Sequence, residues 1–116
     1  MYKLAISTSG EYVSAAIFEE KLLASFVSKT NKGSTGILLN QINELFDKTK
    51  ASRNDLNALY LDVGPGYYTG LRIGLSVSQG LGAVLGIPII PVNGLDALAF
   101  AAHTSHRKIC SLIDIK

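Results

Sequence analysis

The sequence predicts an α/β domain, a mixed five-stranded sheet with helices on its faces. Lys3 to Val27 holds three apolar-rich runs separated by short turns, which reads as an antiparallel meander. From there on, helical and strand-like patterns alternate. A Gly-Pro-Gly turn then joins a buried apolar run to a long apolar helix, the strand–loop–helix unit of a parallel crossover.

Composition bounds the reading. At 116 residues the chain is one domain with room for a single core. Apolar residues make up 47% and charged residues 17%, as in an ordinary globular chain. The net charge of +2 is spread along the sequence. Lys48, Lys50 and Arg53 form the densest basic cluster, and no basic residue is interleaved with aromatics. Strong direct binding of nucleic acid by this chain alone is therefore not expected. The single cysteine, Cys110, excludes an internal disulfide framework and fits a reducing cytoplasm. It lies in an apolar run and is expected to be a small core residue. No signal-peptide pattern precedes the first strand, and the longest helix holds too many small and polar residues to span a membrane.

Taken in order, Lys3–Thr8, Tyr12–Phe18 and Lys21–Val27 are the strands of the meander, the last two joined by a turn at Glu19-Glu20. A polar loop, Asn31–Gly36, follows. Leu38, Leu39, Ile42, Leu45 and Phe46 recur at helical spacing, so 35–50 is an amphipathic helix. Ser52-Arg53-Asn54-Asp55 reads as a small capping turn. Leu59–Val63 is the fourth strand and Leu71–Gly86 the second helix. Ile87–Val92 is a fifth strand, and Pro88 and Pro91, which lack an N–H, make it short or place it at an edge. Asn93 caps a third helix over 94–103, which is expected to bury Leu95, Leu98 and Ala99. Lys108–Ile115 is expected to begin a further strand.

The stretch Val63-Gly64-Pro65-Gly66-Tyr67-Tyr68-Thr69-Gly70 organises the rest. Free backbone N–H groups in such a turn make a phosphate cradle, and a tight turn also needs glycine for its backbone angles alone. It is not the Gly-Lys-Ser/Thr type, since Thr69-Gly70-Leu71 stands at its end. In the helix that follows, Gly70, Gly74, Val77, Leu81, Val84 and Leu85 share one face. Leu71, Leu75, Ser78 and Gly82 form a second flank. Arg72, Ser76, Gln79 and Ala83 make a narrow polar or neutral stripe. Each interior helical glycine costs about 1 kcal/mol relative to alanine, and close approach of another backbone is the usual compensation.

Gly64-Pro65-Gly66-Tyr67-Tyr68-Thr69-Gly70-Leu71-Arg72-Ile73-Gly74, then Gln79-Gly80-Leu81 and Leu85-Gly86-Ile87-Pro88, resembles the GPGSFTGLRIG…KGLA…LGIP signature of the TsaB (YeaZ) family. The resemblance covers nearly the whole chain. It implies a ribonuclease-H-like, actin-like ATPase fold shared with sugar kinases and heat-shock 70 ATPases, with 1–107 as an N-terminal lobe and 108–116 as the first strand of a second lobe that is expected to be truncated or absent. It implies a role in forming threonylcarbamoyladenosine on tRNA beside the paralogous TsaD, with TsaE in the assembled complex and TsaC supplying the activated group. No cofactor is implied for this chain.

Superfamily members that bind nucleotide carry an aspartate at the end of the first strand, and so does the usual TsaB opening. Here the residue is Ser7, a neutral hydroxyl that cannot anchor a hydrated Mg²⁺ as a carboxylate does. Asp62 is the nearest spare carboxylate and is expected to be a satisfied polar residue at a strand end. His103 and His106 have metal-ligand spacing without a third ligand nearby, and are read as structural or surface residues. Arg72 in the first helical turn opposes the macrodipole, so it meets an anion or lays its stem over apolar surface. Tyr67 and Tyr68 stand where the family has Ser-Phe.

The resemblance, with Ser7 in place of the aspartate, therefore implies a non-catalytic scaffold that binds TsaD. Leu71, Arg72, Gly74, Leu75, Ser78 and Gly82 are its expected interface, in a helix bundle with 35–50 and behind the glycine loop of Gly64, Pro65, Gly66, Thr69 and Gly70. The same surface is expected to support a homodimer without the partner. The alternative is the N-terminal lobe of a nucleotide-dependent enzyme of the sugar-kinase type.

Overall fold

The structure, a computed structural model, describes residues 1–29, 35–102 and 108–115. Strands β1 (Tyr2–Ser7), β2 (Tyr12–Phe18) and β3 (Leu22–Lys29) come first. Helix α1 (Thr35–Thr49), a single 3₁₀ turn at Arg53–Asp55 and β4 (Leu56–Asp62) follow. The chain continues through α2 (Tyr68–Leu85), β5 (Ile89–Val92) and α3 (Gly94–Ala101). The sheet order is β3-β2-β1-β4-β5. β1–β2 and β2–β3 pair antiparallel, β1–β4 and β4–β5 parallel. The mixed five-stranded sheet expected from the sequence is the one observed.

Alternation in the strands decides which face is covered. Leu4 and Ile6, Val13, Ala15 and Ile17, and Leu59 and Leu61 are buried on one side. α1 brings Leu38, Ile42, Leu45 and Phe46 onto β2 and β3; α2 brings Val77, flanked by Ile73, Leu81 and Leu85, onto β4. Fully burying a residue such as Leu4 or Leu59 contributes roughly 1.5–3 kcal/mol. The other face carries smaller groups, among them Ala5, Ser7, Ser14 and Ala16, with Tyr60 and Asp62 beside them. They floor a trough of about 370 Å³.

Both expectations for the fifth strand hold, because β5 has four residues and lies at the sheet edge. Its ladder begins late. The Pro88 carbonyl accepts from Leu59 N–H at 3.0 Å just before it. Ser52 caps the 3₁₀ turn by accepting from Asn54 N–H, and Asn93 caps α3 by accepting from Leu95 and Asp96 N–H at 2.9 and 3.3 Å.

Three expectations are corrected. Lys108–Ile115 has no regular structure, since a strand needs a neighbour to satisfy its N–H and C=O groups and none pairs with it among the described residues. Leu98 is 50% exposed, because α3 is two turns long and leaves a sheet edge, burying only Gly94. Cys110, within the unstructured segment, is exposed rather than in the core. His103 and His106 lie outside the described residues.

α2 contains one unsatisfied group. Ser78 is fully buried against the sheet, and its hydroxyl has no hydrogen-bond partner among the described residues. A buried, unpaired hydroxyl costs on the order of 1–3 kcal/mol. Ser78→Ala is expected to stabilise the domain by about 1 kcal/mol. Thermal and urea unfolding measure it, with the midpoint rising by several degrees.

Candidate functional site at the strand ends

β1 and β4 run parallel with Ile6 opposite Leu61, so their carboxyl ends arrive together and set Ser7 beside Asp62. Beyond them the chain turns twice. The Ser7-Thr8-Ser9 turn follows β1, and the glycine loop follows β4 on its way into α2.

Asp62 is where these segments meet. Its Oδ2 accepts from the Ser7 hydroxyl at 2.7 Å and from the Ser9 hydroxyl at 2.5 Å. Its Oδ1 accepts from Gly64 N–H at 2.9 Å. Gly94, at the start of α3, lies against the same carboxylate; a Cβ there would come 2.9 Å from Oδ1. Gly94 N–H donates to the Gly64 carbonyl at 2.8 Å. The expectation that Asp62 is a satisfied strand-end residue is met three times over.

The backbone contacts are tighter still. Tyr67 N–H donates to the Ser9 carbonyl at 2.8 Å, and the buried Thr8 hydroxyl donates to the Gly70 carbonyl at 2.6 Å. A Cβ at Gly66 would overlap the Ser9 carbonyl oxygen, and one at Gly70 the Thr8 carbonyl oxygen. Gly64 has φ of +93°, in the left-handed region, and the Gly64-Pro65 peptide is cis. Of the two readings of this loop, the glycine-dependent turn accounts for these contacts. Gly64 and Tyr67 N–H, which a phosphate cradle would offer, already donate within the chain.

The residues do not fit a hydrated Mg²⁺ with a nucleotide phosphate. The carboxylate expected on β1 is the Ser7 hydroxyl, and the neighbouring carboxylate already takes three donors from its own chain. No group of three or more His, Cys, Asp or Glu side chains able to hold a metal occurs among the described residues. Beside this cluster lies a cavity of about 330 Å³ lined by Ser7, Ser9, Asp62, Gly94, Leu98 and Ile113.

The small-residue row on α2 faces inward. Gly74, Ser78 and Gly82 are buried in the lobe itself. A Cβ at Gly74 would collide with the Thr8 hydroxyl, and one at Gly82 would come 3.2 Å from Ile89 Cγ1. These three expected interface residues are therefore corrected. The backbone they bring close is the lobe's own sheet. Val84, which shares a helical face with Gly74 and Val77 by its spacing, is 84% exposed.

The outward face of α2 is the stripe of Arg72, Ser76, Gln79 and Ala83, widened by Leu75, Gly80 and Val84. Leu71 is half-buried at its margin. The Arg72 guanidinium lies 5.4 Å from the centre of the Tyr68 ring, and Tyr68 is mostly exposed. Arg72 forms no ion pair among the described residues. Sequence reasoning overlooked Thr8 and Ser9, whose signal was the run of hydroxyls ending β1. It also overlooked Gly80, whose signal was its place beside Ser76 on the polar stripe.

The chain matches the family model described as TsaD, tRNA N6-adenosine threonylcarbamoyltransferase, over residues 22–115. It is 33% identical over 105 residues to the tRNA threonylcarbamoyladenosine biosynthesis protein TsaB of Buchnera aphidicola subsp. Schizaphis graminum, covering 90% of this chain and 50% of that protein. YeaZ from Pseudomonas aeruginosa superposes with a TM-score of 0.80 at 31% identity, covering 87% of this chain and 47% of that one. RuvC from T. thermophilus, in complex with a Holliday junction substrate, superposes at 0.60 with 15% identity, covering 88% and 71%. The last likeness is one of fold alone, the ribonuclease-H-like fold. The chain spans about half the length of the relatives it matches.

The glycines divide into two classes that substitution separates. Gly70→Ala meets backbone and Gly82→Arg meets the sheet, so both are expected to unfold the lobe. Gly80 has nothing within 4 Å of its would-be Cβ among the described residues, and Gly80→Ala is expected to stabilise the lobe by up to about 1 kcal/mol. Circular dichroism with thermal melting of the three variants checks the division.

Proposed function

The chain belongs to the TsaD family of tRNA N6-adenosine threonylcarbamoyltransferases, alongside its TsaB (YeaZ) members, and from that premise we propose that it is a non-catalytic accessory lobe in tRNA threonylcarbamoyladenosine formation. Its task is to hold the TsaD paralogue in an active arrangement, in a complex that TsaE joins, and a second copy of the chain takes the same surface when TsaD is absent.

The outward stripe of α2 carries this reading. Leu75 and Val84 are exposed on a helix whose other face is already used, and a Cβ at Gly80 would have nothing within 4 Å among the described residues. An interior helical glycine without an internal packing reason costs about 1 kcal/mol, and close approach of a partner helix accounts for it. Ser76, Gly80 and Ala83 give that helix a shallow row, so the axes can approach at the short end of the usual 8–10 Å. Leu71, Leu75 and Arg72 from the expected interface border the row, and α1 lies beside α2 to complete a bundle. The site at the strand ends supports the non-catalytic half of the proposal, since the Asp62 carboxylate is engaged by Ser7, Ser9 and Gly64.

Leu75→Glu and Gly80→Arg are each expected to abolish capture of the TsaD paralogue, and self-association without it, while circular dichroism stays unchanged. Burial of one leucine is worth roughly 1.5–3 kcal/mol, so the leucine change alone should weaken binding more than tenfold. Two folded variants that still capture the paralogue would move the interface elsewhere.

Isothermal titration with Mg-ATP separates this reading from the kinase-like alternative. The chain is expected to show no micromolar binding, and a micromolar Kd would restore the nucleotide-dependent lobe.

A further inference from the structure

We propose that Asp62 is an internal anion that fills a donor cradle at the strand ends and keeps the glycine loop ordered without a ligand. Three donors converge on one carboxylate, two hydroxyls on Oδ2 and one backbone N–H on Oδ1. They are the Ser7 hydroxyl at the end of β1, the Ser9 hydroxyl in the turn beyond it, and Gly64 N–H in the glycine loop. Hydroxyls and backbone N–H groups gathered in this way are the usual surroundings of a bound oxyanion. Here the oxyanion is covalently part of β4.

The surroundings are shaped to it. Gly94 has no side chain where one would press on Oδ1, and its N–H fastens the Gly64 carbonyl. The cluster is partly buried and borders the cavity of about 330 Å³, so a small solute has a way in. Removing the carboxylate would leave three donors aimed at a vacated space with access from solvent. Such a space should accept a free carboxylate or another small oxyanion. This inference concerns the lobe alone and stands or falls independently of the proposed partner.

The test is chemical rescue in the full 116-residue chain, with sodium formate as the probe and sodium chloride at equal ionic strength as the control. Asp62→Ala is expected to lower the unfolding midpoint by roughly 5–10 °C. Formate should then restore most of that loss in a saturable manner, with no such response in the wild type. If Asp62→Ala does not fold in chloride, the readout is formate-dependent recovery of the helical dichroism signal. The second variant is Ser7→Ala/Ser9→Ala/Asp62→Ala, which removes two donors together with the acceptor and is expected not to respond to formate. An Asp62→Ala variant that gains nothing from formate, folded or not, overturns the proposal. So does a gain from formate that is equal in the wild type or in the triple variant, because the cradle is then not what binds.

Discussion

The contact on which the structure depends is between two pieces of backbone. The carbonyls of Thr8 and Ser9 press against Gly70 and Gly66 so closely that no side chain fits between them. This fixes where α2 begins relative to β1, and so which side of the helix meets the sheet. The inward row then continues from Gly70 through Gly74 to Ser78 and Gly82, with Ile73, Val77, Leu81 and Leu85 packed on the core beside it. Because the row of Gly74, Ser78 and Gly82 is held against the lobe, the stripe of Arg72, Ser76, Gln79 and Ala83 on the back of α2 faces outward. The loop, the helix face and the proposed interface thus share one cause.

Much of this was legible in the sequence. Alternation in Leu4 and Ile6 or Val13, Ala15 and Ile17 is strong enough to give the strands their faces, and the spacing of Leu38, Ile42, Leu45 and Phe46 does the same for α1. Caps at Ser52 and Asn93 are local and were readable because they reach only two or three residues along the chain. The facing of α2 was harder. A helix with leucine, valine or glycine on every side has no polar face to orient it, and small residues serve inward packing as well as outward. Only Arg72 and Gln79 marked the solvent side, and they marked it correctly.

The candidate site was legible in its parts and not in its assembly. Ser7 and Asp62 each stood out, one as a departure from the expected aspartate and the other as a spare carboxylate. Their hydrogen bond joins residues 55 apart, and only the parallel register of β1 with β4 brings them together. The run of hydroxyls at Ser7, Thr8 and Ser9 is a local signal, but the partners it finds at Asp62 and Gly70 lie more than 50 residues away. The exposure of Leu98 and Cys110 escaped for a different reason, because apolar composition shows what prefers burial but not whether a surface is available to bury it.

The place of β1 in the sheet has a consequence for how the chain comes together. It comes first of the five strands in chain order and is also the central one, flanked by β2 and β4. The meander β1-β2-β3 closes through short turns, so it assembles quickly from the emerging polypeptide. The other edge of β1 stays open until Leu56–Asp62 has been synthesised, because nothing nearer in sequence pairs with that edge among the described residues. During that interval Leu4 and Ile6 face solvent beside an unpaired strand edge, the kind of surface that invites intermolecular pairing. Closing a loop of this length carries an entropic cost that is recovered only when β4 and α2 dock together. For a nascent lobe of this topology, the interval of greatest exposure to aggregation ends with the arrival of the glycine loop.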